Sequence, residues 1–293
     1  MTKILVDWGS SNCRAYLLNE SGHLQGNIHA ELGVLRLEQG AFEAKLRELL
    51  SPWGAILADC DIWLAGMVGS RRGWYEVAYV PSPARSDQLA THSKSLDVNW
   101  ARSVRIIPGV SCSGSDNFDV MRGEEVQLIG LMQILAKPNA YAMLPGTHNK
   151  HVEINDGAIG RFSTHPTGEL YAVVTQHMLL GYGLNSSTAG KYPQAFCRGL
   201  DKGAQSSKLG NSLFGAWTNR LGGRLTDEET LDYISGVLIG NELRDFPVST
   251  CAIVCDDVIG ERYLTACEHL GIGATLHSGA ECFLTGMKAI SES

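Results

Sequence analysis

The sequence predicts an α/β protein of two lobes, each headed by a β-rich half of the same design. Three observations carry this. The chain opens on three short, mostly apolar runs, 3–8, 13–19 and 23–30, that read as consecutive strands. The first two are joined at Gly9-Ser10-Ser11-Asn12, a turn of glycine and small polar residues. About half the chain later, within 140–154, strand, turn and strand return with Gly146-Thr147-His148-Asn149 at the tip. Both tips read Gly-[Ser/Thr]-x-Asn, a basic residue follows each (Arg14, Lys150), and a third strand comes next (158–164 in the second copy). The expected division is 1–138 and 139–293.

The elements follow in order. Asn19-Glu20-Ser21-Gly22 is a turn between the second and third strands. Residues 41–50 carry helical periodicity, and 62–66 read as a buried strand ending on glycine. The segment 66–84, GMVGSRRGWYEVAYVPSPA, is a loop dense in Gly, Arg, Trp and Pro. A strand is expected at 104–109 and a helix from Asp119 onward, through DVMRGEEVQLIGLMQILA. The second half reads as helices at 168–180, about 206–221, 227–244, 259–270 and 279–288, with a strand at 250–255. Thr226 with Glu229 three residues on is a capping-box pattern for the helix at 227.

Composition removes several function classes. The chain has 293 residues, enough for two cores. Its net charge is −7 with no run of Lys or Arg, which argues against nucleic acid as partner. No stretch has the apolar length of a membrane span, and MTKILVDW enters a strand without a signal-peptide layout. The expectation is a cytoplasmic protein with a small-molecule ligand; a homodimer stays open. The eight cysteines form no Cys-x-x-Cys pair and read as free thiols. His148 and His151 lack a second ligand pair for zinc.

A turn of glycine and small hydroxyl residues concentrates backbone N–H groups at one point, and glycine lets a large anion approach them. Two such turns facing each other would suit a polyphosphate. Asp7, just before the first turn, would repel phosphate directly, so its expected role is to hold Mg²⁺ through water. Other nucleotide motifs fail. Around Gly190-Lys191, Asn185 and Tyr192 stand where a P-loop needs Gly and Ser/Thr, and Gly181-Tyr182-Gly183 is followed by Ser186 where a dinucleotide fingerprint needs its third glycine.

Paired phosphate hairpins of this kind resemble those of the actin, sugar kinase and Hsp70 superfamily, with its two-lobed, ribonuclease H-like ATPase fold. Within it the chain resembles the 2-dehydro-3-deoxygalactonokinases nearly end to end. The resemblance rests on DWGSSNCRAYLL (7–18), GMVGSRRGWYEVAYVPSPA (66–84), IIPGV (106–110), DVMRGEEVQLIG (119–130), LPGTHNKHVEI (144–154), TGELY (167–171) and YISGVLIGNELR (233–244). It implies an ATP- and Mg²⁺-dependent kinase that phosphorylates the 6-hydroxyl of 2-dehydro-3-deoxy-D-galactonate in galactonate catabolism, with lobes that close to exclude water. A kinase of another sugar acid, or a non-catalytic nucleotide or sugar sensor, remains the alternative.

Phosphoryl transfer needs alignment, charge neutralisation and a proton acceptor. Asp119, expected at a helix start, is the candidate base, with Asp116 in reserve and an N-cap role as the plain alternative. Arg122, three residues on, would share its helical face. Glu124 or Glu125 would reach Mg²⁺ with Asp7. ATP phosphates would meet Gly9, Ser10, Ser11, Asn12 and Arg14 from the first hairpin, and Gly146, Thr147, His148 and Lys150 from the second. A sugar acid carries a carboxylate suited to an arginine fork, so Arg71 and Arg72 are candidates, with Gly66, Met67, Ser70, Trp74 and Tyr79 of the same segment, and Glu76 as a further hydroxyl contact. After TCAIVC the resemblance weakens: Cys255-Asp256-Asp257 stands where a glycine is expected near the adenine.

Overall fold

The computed structural model describes residues 1–114, 117–256 and 258–293, and the backbone alone of Thr188. Asp116 and Asp257 lie outside the described residues.

The first strand, β1 (Lys3–Trp8), buries Ile4, Leu5, Val6 and Trp8. Its antiparallel partner β2 (Cys13–Leu18) sets Arg14 directly opposite Asp7, and β3 (Leu24–Ala30) completes the meander. Helix α1 (Phe42–Leu50) repeats apolar residues every fourth position, so Phe42, Leu46 and Leu50 enter one core with Trp8. Then come β4 (Asp61–Ala65), β5 (Val80–Pro81), α2 (Ser86–Thr91), β6 (Lys94–Leu96), β7 (Ser103–Ile106), β8 (Val110–Ser113), β9 (Phe118–Met121) and α3 (Glu124–Leu135). β4 is parallel to β1 and β7 to β4, giving the order β3-β2-β1-β4-β7-β6. β5, β8 and β9 form a small sheet of their own.

The chain continues through β10 (Ala140–Leu144), β11 (Asn149–Asn155), β12 (Ala158–His165), α4 (Thr167–His177), α5 (Pro193–Ala204), α6 (Leu209–Leu221), α7 (Asp227–Glu242), β13 (Thr250–Val254), α8 (Val258–His269), β14 (Gly273–His277) and α9 (Gly279–Ser291). Its sheet runs β12-β11-β10-β13-β14, with β10 parallel to β13 and β13 to β14. The order repeats that of β3-β2-β1-β4-β7, so the repeat seen at the two tips extends to sheet order. The Thr226 cap forms as expected, its side chain accepting from the Glu229 amide.

By internal contacts one unit comprises Met1–Ala140, Val152–Phe162 and Ser278–Ser293, and the other Tyr141–His151 and Ser163–His277. Each contains a close helix crossing. In the first, a Cβ on Gly130 of α3 would lie 1.8 Å from the Cys282 carbonyl of α9. In the second, a Cβ on Gly199 of α5 would lie 2.2 Å from the Tyr233 carbonyl of α7.

The structure corrects one expectation. Asp119 does not open a helix: it lies in β9, opposite Cys112 of β8. The helix begins at Glu124, because Gly123 at φ 111° takes a conformation closed to most side chains and breaks the run. Asp119 is therefore not an N-cap, and Arg122 does not share a helical face with it. Among the described residues no helix is long and apolar enough to cross a membrane.

Candidate active site

In the first unit the Gly9–Asn12 turn is held from behind. The Gly9 amide donates to the Asn12 carbonyl (2.9 Å), while Val34 and Leu35 amides donate to the carbonyls of Gly9 (3.0 Å) and Ser10 (3.2 Å). Gly33 is needed for that approach: a Cβ there would sit 2.1 Å from the Ser10 oxygen. With its carbonyls occupied, the turn leaves the amides of Ser10, Ser11 and Asn12 without a protein acceptor among the described residues. That is the arrangement an anion needs.

Asp7 keeps 35% of its side chain accessible, with the Arg14 guanidinium 4.0 Å away. Burial pushes its carboxyl up to about 6; Arg14 pulls it down and Glu124 pushes it further up. A cation between Asp7 and Glu124 would relieve that repulsion, and Mg²⁺ commonly binds through one or two carboxylates plus water and phosphate. The pair fits that role, although among the described residues no three His, Cys, Asp or Glu side chains converge. Glu125 is fully buried; its Oε2 accepts from the Gly123 amide (2.6 Å) and its Oε1 has no partner. Burial, then Glu124, pushes its carboxyl up to about 8. Of the two glutamates, Glu124 is the one electrostatically joined to Asp7.

Asp119 is half-buried and accepts from the Val120 amide (2.7 Å). Arg122 ties the 66–84 segment to the end of β9. Its Nη2 donates to the Val77 carbonyl (2.8 Å), and its guanidinium lies 4.3 Å from the Tyr79 ring centre. Gly69 makes room, since a Cβ there would stand 2.8 Å from Nη1. Within the segment, Ser70 Oγ donates to the Met67 carbonyl (2.7 Å), Met67 and Trp74 pack partly into the core, and Gly66 comes against the Trp8 carbonyl. Arg71, Arg72, Glu76 and Tyr79 are exposed, and neither Arg71 nor Arg72 makes an ion pair among the described residues.

In the second unit the turn is built differently. The Gly146 amide donates to the Asn149 side chain (Oδ1, 2.7 Å), and the Thr147 carbonyl accepts from Glu169 (3.0 Å). The amides of Thr147 and His148 are left without a protein acceptor among the described residues. The start of α4 lies directly on this turn; a Cβ on Gly168 would fall 2.3 Å from the Gly146 oxygen. His148 meets Glu169 (2.7 Å) at the surface. Lys150 points to the opposite side of β11 from Asn149 and His151, is buried, and donates to Thr164.

Beside this turn a cavity of about 240 Å³ opens between the start of α4, α7 and α8, walled by Leu238, Ile239, Val258 and Ile259. Tyr263 and Asn149 lie at its polar end. Arg262 closes another side, bonded to Asp232 (2.6 Å) and 4.3 Å from the Phe196 ring centre. Asp232 is buried and also accepts from the amides of Gly190 (2.8 Å) and Tyr192 (2.9 Å), so one carboxylate fixes the Gly190 wall to α7 and α8. At the point of weak resemblance, Gly260 of α8 packs onto Cys255: a Cβ there would lie 2.9 Å from the Cys255 Cβ.

Comparison with known proteins decides the family. The 2-keto-3-deoxy-galactonokinase family profile matches residues 7–290. The chain belongs to this family. It is 33% identical to the 2-dehydro-3-deoxygalactonokinase of Escherichia coli (strain K12), over 98% of this chain and 97% of that one. A Sinorhizobium meliloti crystal structure provisionally given the same kinase name superposes with a TM-score of 0.89 at 26% identity, covering 99% and 98% of the two chains. The ADPNP-bound activator of 2-hydroxyisocaproyl-CoA dehydratase from Clostridium difficile has a TM-score of 0.51 at 10% identity, covering 100% of this chain and 95% of its own. The fold is that of the actin-like ATPases and sugar kinases, and the protein is a phosphotransferase of the 2-dehydro-3-deoxygalactonokinase type.

Against this family frame, Asp7, Arg14 and Glu124 come together in the first unit, and Gly146 and Asn149 border the cavity of the second. Sequence reasoning missed Asp232, Glu242 and Arg262. Each lies in a helix where a charged residue reads as surface; only Glu242 carries a sequence signal at both helical intervals, its spacing of three and four residues from the buried apolar Ile239 and Leu238.

Proposed function

We propose that this kinase transfers the terminal phosphoryl group of ATP to the 6-hydroxyl of 2-dehydro-3-deoxy-D-galactonate, a step of galactonate catabolism, in the cytoplasm. What supports the reading is that each Gly-[Ser/Thr]-x-Asn turn is held from behind through its carbonyls, those of Gly9 and Ser10 in the first and that of Thr147 in the second, while its central amides have no protein acceptor among the described residues. Such amides stabilise phosphate oxygens without reorganising when charge moves. In the first unit the amides of Ser10, Ser11 and Asn12 serve this role, with the Arg14 guanidinium adding positive charge; in the second the amides of Thr147 and His148 do, and Gly146 leaves open space for the anion to approach. Lys150 acts on the turn from behind, through β11 and β12. The nucleoside occupies the cavity of the second unit, whose apolar walls suit a base and whose open turn leads to the phosphates.

Asp7 and Glu124 hold Mg²⁺, which neutralises phosphate charge when bound. Asp119 takes the hydroxyl proton on its carboxylate. Arg71, with Arg72, binds the substrate carboxylate; Gly66, Met67, Ser70, Trp74 and Tyr79 shape that part of the site. Arg122 acts by holding the segment in place.

The test is ADP release by purified protein with MgATP, with the galactonate-derived acid, with its gluconate-derived epimer, and with neither. Release that depends on the first acid is expected. Dependence on the epimer alone would move the substrate to another sugar acid on the same site. No stimulation by either, with MgATP binding intact, would refute the proposed reaction.

A further inference from the structure

One buried carboxylate in the second unit organises everything around the Gly146 turn. Glu242, the last residue of α7, has a side chain 2% exposed. It receives donors from three other elements. His151 of β11 meets Oε1 at 2.7 Å; Asn149 Nδ2 (2.9 Å), Tyr263 OH (2.7 Å) and Thr167 Oγ1 reach Oε2. Asn149 Nδ2 also donates to Tyr263 OH. The amide of Asn149 is thus locked in rotation, which leaves its Oδ1 facing the Gly146 amide (2.7 Å). Thr167 is the first residue of α4, whose next two residues touch the turn through Gly168 and the Glu169 amide. Both supports of the turn therefore run to Glu242.

We propose that Glu242 is a positioning residue for the nucleotide: through Asn149 and Thr167 it holds the Gly146–Asn149 turn with its Thr147 and His148 amides set for phosphate. The inference rests on the phosphate role of that turn. Stability alone gives little reason for the arrangement. A buried carboxylate with its partners does not generally outperform apolar side chains of the same volume. A fully satisfied polar network does, however, fix orientation, and an anion site of backbone amides depends on orientation. Both oxygens of the Glu242 carboxylate accept from within the protein, and its side chain is 2% exposed and does not line the cavity, so it does not itself touch a ligand.

The deciding experiment measures MgATP affinity by calorimetry without any sugar acid, together with kcat, the KM of each substrate and Tm, for Glu242→Gln, Asn149→Ala and the double variant. Gln keeps the shape but cannot accept every donor. MgATP affinity and KM for ATP are expected to weaken about tenfold in each single variant. KM for the acid should stay within twofold, and the double variant should be no weaker than the worse single one, because both act along one path. Tyr263→Phe, which removes one donor and keeps the ring, should weaken MgATP several-fold and serves if Glu242→Gln does not fold. A lowered Tm with unchanged MgATP affinity would overturn the proposal, as would losses that multiply in the double variant. Failure of the acid to stimulate ADP release, with these affinity changes present, would count against the substrate reading alone. A wild-type protein that binds no MgATP would overturn both.

Discussion

Glu125→Gln should stabilise the protein, and increasingly so as the pH rises. The carboxyl is completely buried, one oxygen has no partner, and burial pushes it up to about 8 from an ordinary 4.5. The unfolded chain therefore gives up this proton at a lower pH than the folded one. Between roughly pH 4.5 and 8 the folded state holds the extra proton, so stability falls as pH rises through that window. The slope is about 1.4 kcal/mol per pH unit, hence about 3 kcal/mol between pH 5.5 and 7.5. Glutamine keeps the Oε2-like acceptor for Gly123 and carries no charge, so the variant escapes this loss. For a chain of this size 3 kcal/mol corresponds to roughly 5–10 °C in Tm. Paired thermal melts of wild type and variant at pH 5.5 and 7.5 read it directly. Two melting curves that shift in parallel with pH would refute the argument, since they would mean that Glu125 titrates alike in folded and unfolded chains.

Asp119→Asn should lower kcat by about 10²–10⁴ with little change in MgATP affinity, the mark of a lost proton acceptor; a kcat within tenfold of wild type would remove Asp119 from the chemistry. Gly33→Ala forces a methyl against the Ser10 carbonyl and should cost about 1–3 kcal/mol while weakening MgATP binding, both readable from melts with and without nucleotide. Arg122→Lys keeps charge but loses the planar fork over Tyr79, so KM for the acid should rise several-fold while MgATP affinity holds. Glu242→Gln should lose its stability deficit relative to wild type as the pH drops below the usual glutamate range. Burial opposes the charged form of Glu242, but His151, Thr167 and Tyr263 outweigh it and hold the carboxyl low, so its contribution is present above that range and vanishes beneath it.

Much of the fold was legible because apolar periodicity and turn chemistry agree. β1 to β3, α1, the β10–β11 hairpin and the capped start of α7 fall within a residue or two of where the sequence puts them. The losses are local conflicts won by tertiary structure. Helix α5 was missed because Gly199 and Gly203 argue against a helix, yet those glycines are what let α5 lie on α7. Asp119 was misplaced because the helical pattern of 124–135 extends backward in sequence. Pairing with β8 and the positive φ of Gly123 end it. β14 was missed because Gly273–His277 is short and mostly exposed, and its evidence is its pairing with β13.

The two tips show how far a repeated motif specifies a site. Gly9-Ser-Ser-Asn and Gly146-Thr-His-Asn match letter for letter at their ends, and the first glycine amide in each donates to the asparagine. In the first turn, however, the acceptor is the asparagine main chain, so Asn12 keeps an exposed side chain that makes no hydrogen bond among the described residues. In the second the acceptor is the side chain, and Asn149 is buried under Glu242. A motif records which turn forms; what stands behind the turn decides which atoms are left over. Behind the first stands a backbone segment, 33–35, that supplies amides. Behind the second stand a helix start and a carboxylate, contributed by residues up to 93 positions away. That is why the sequence points to both turns as phosphate elements, and why the link from Glu242 to the second turn shows only once α7 is folded onto it.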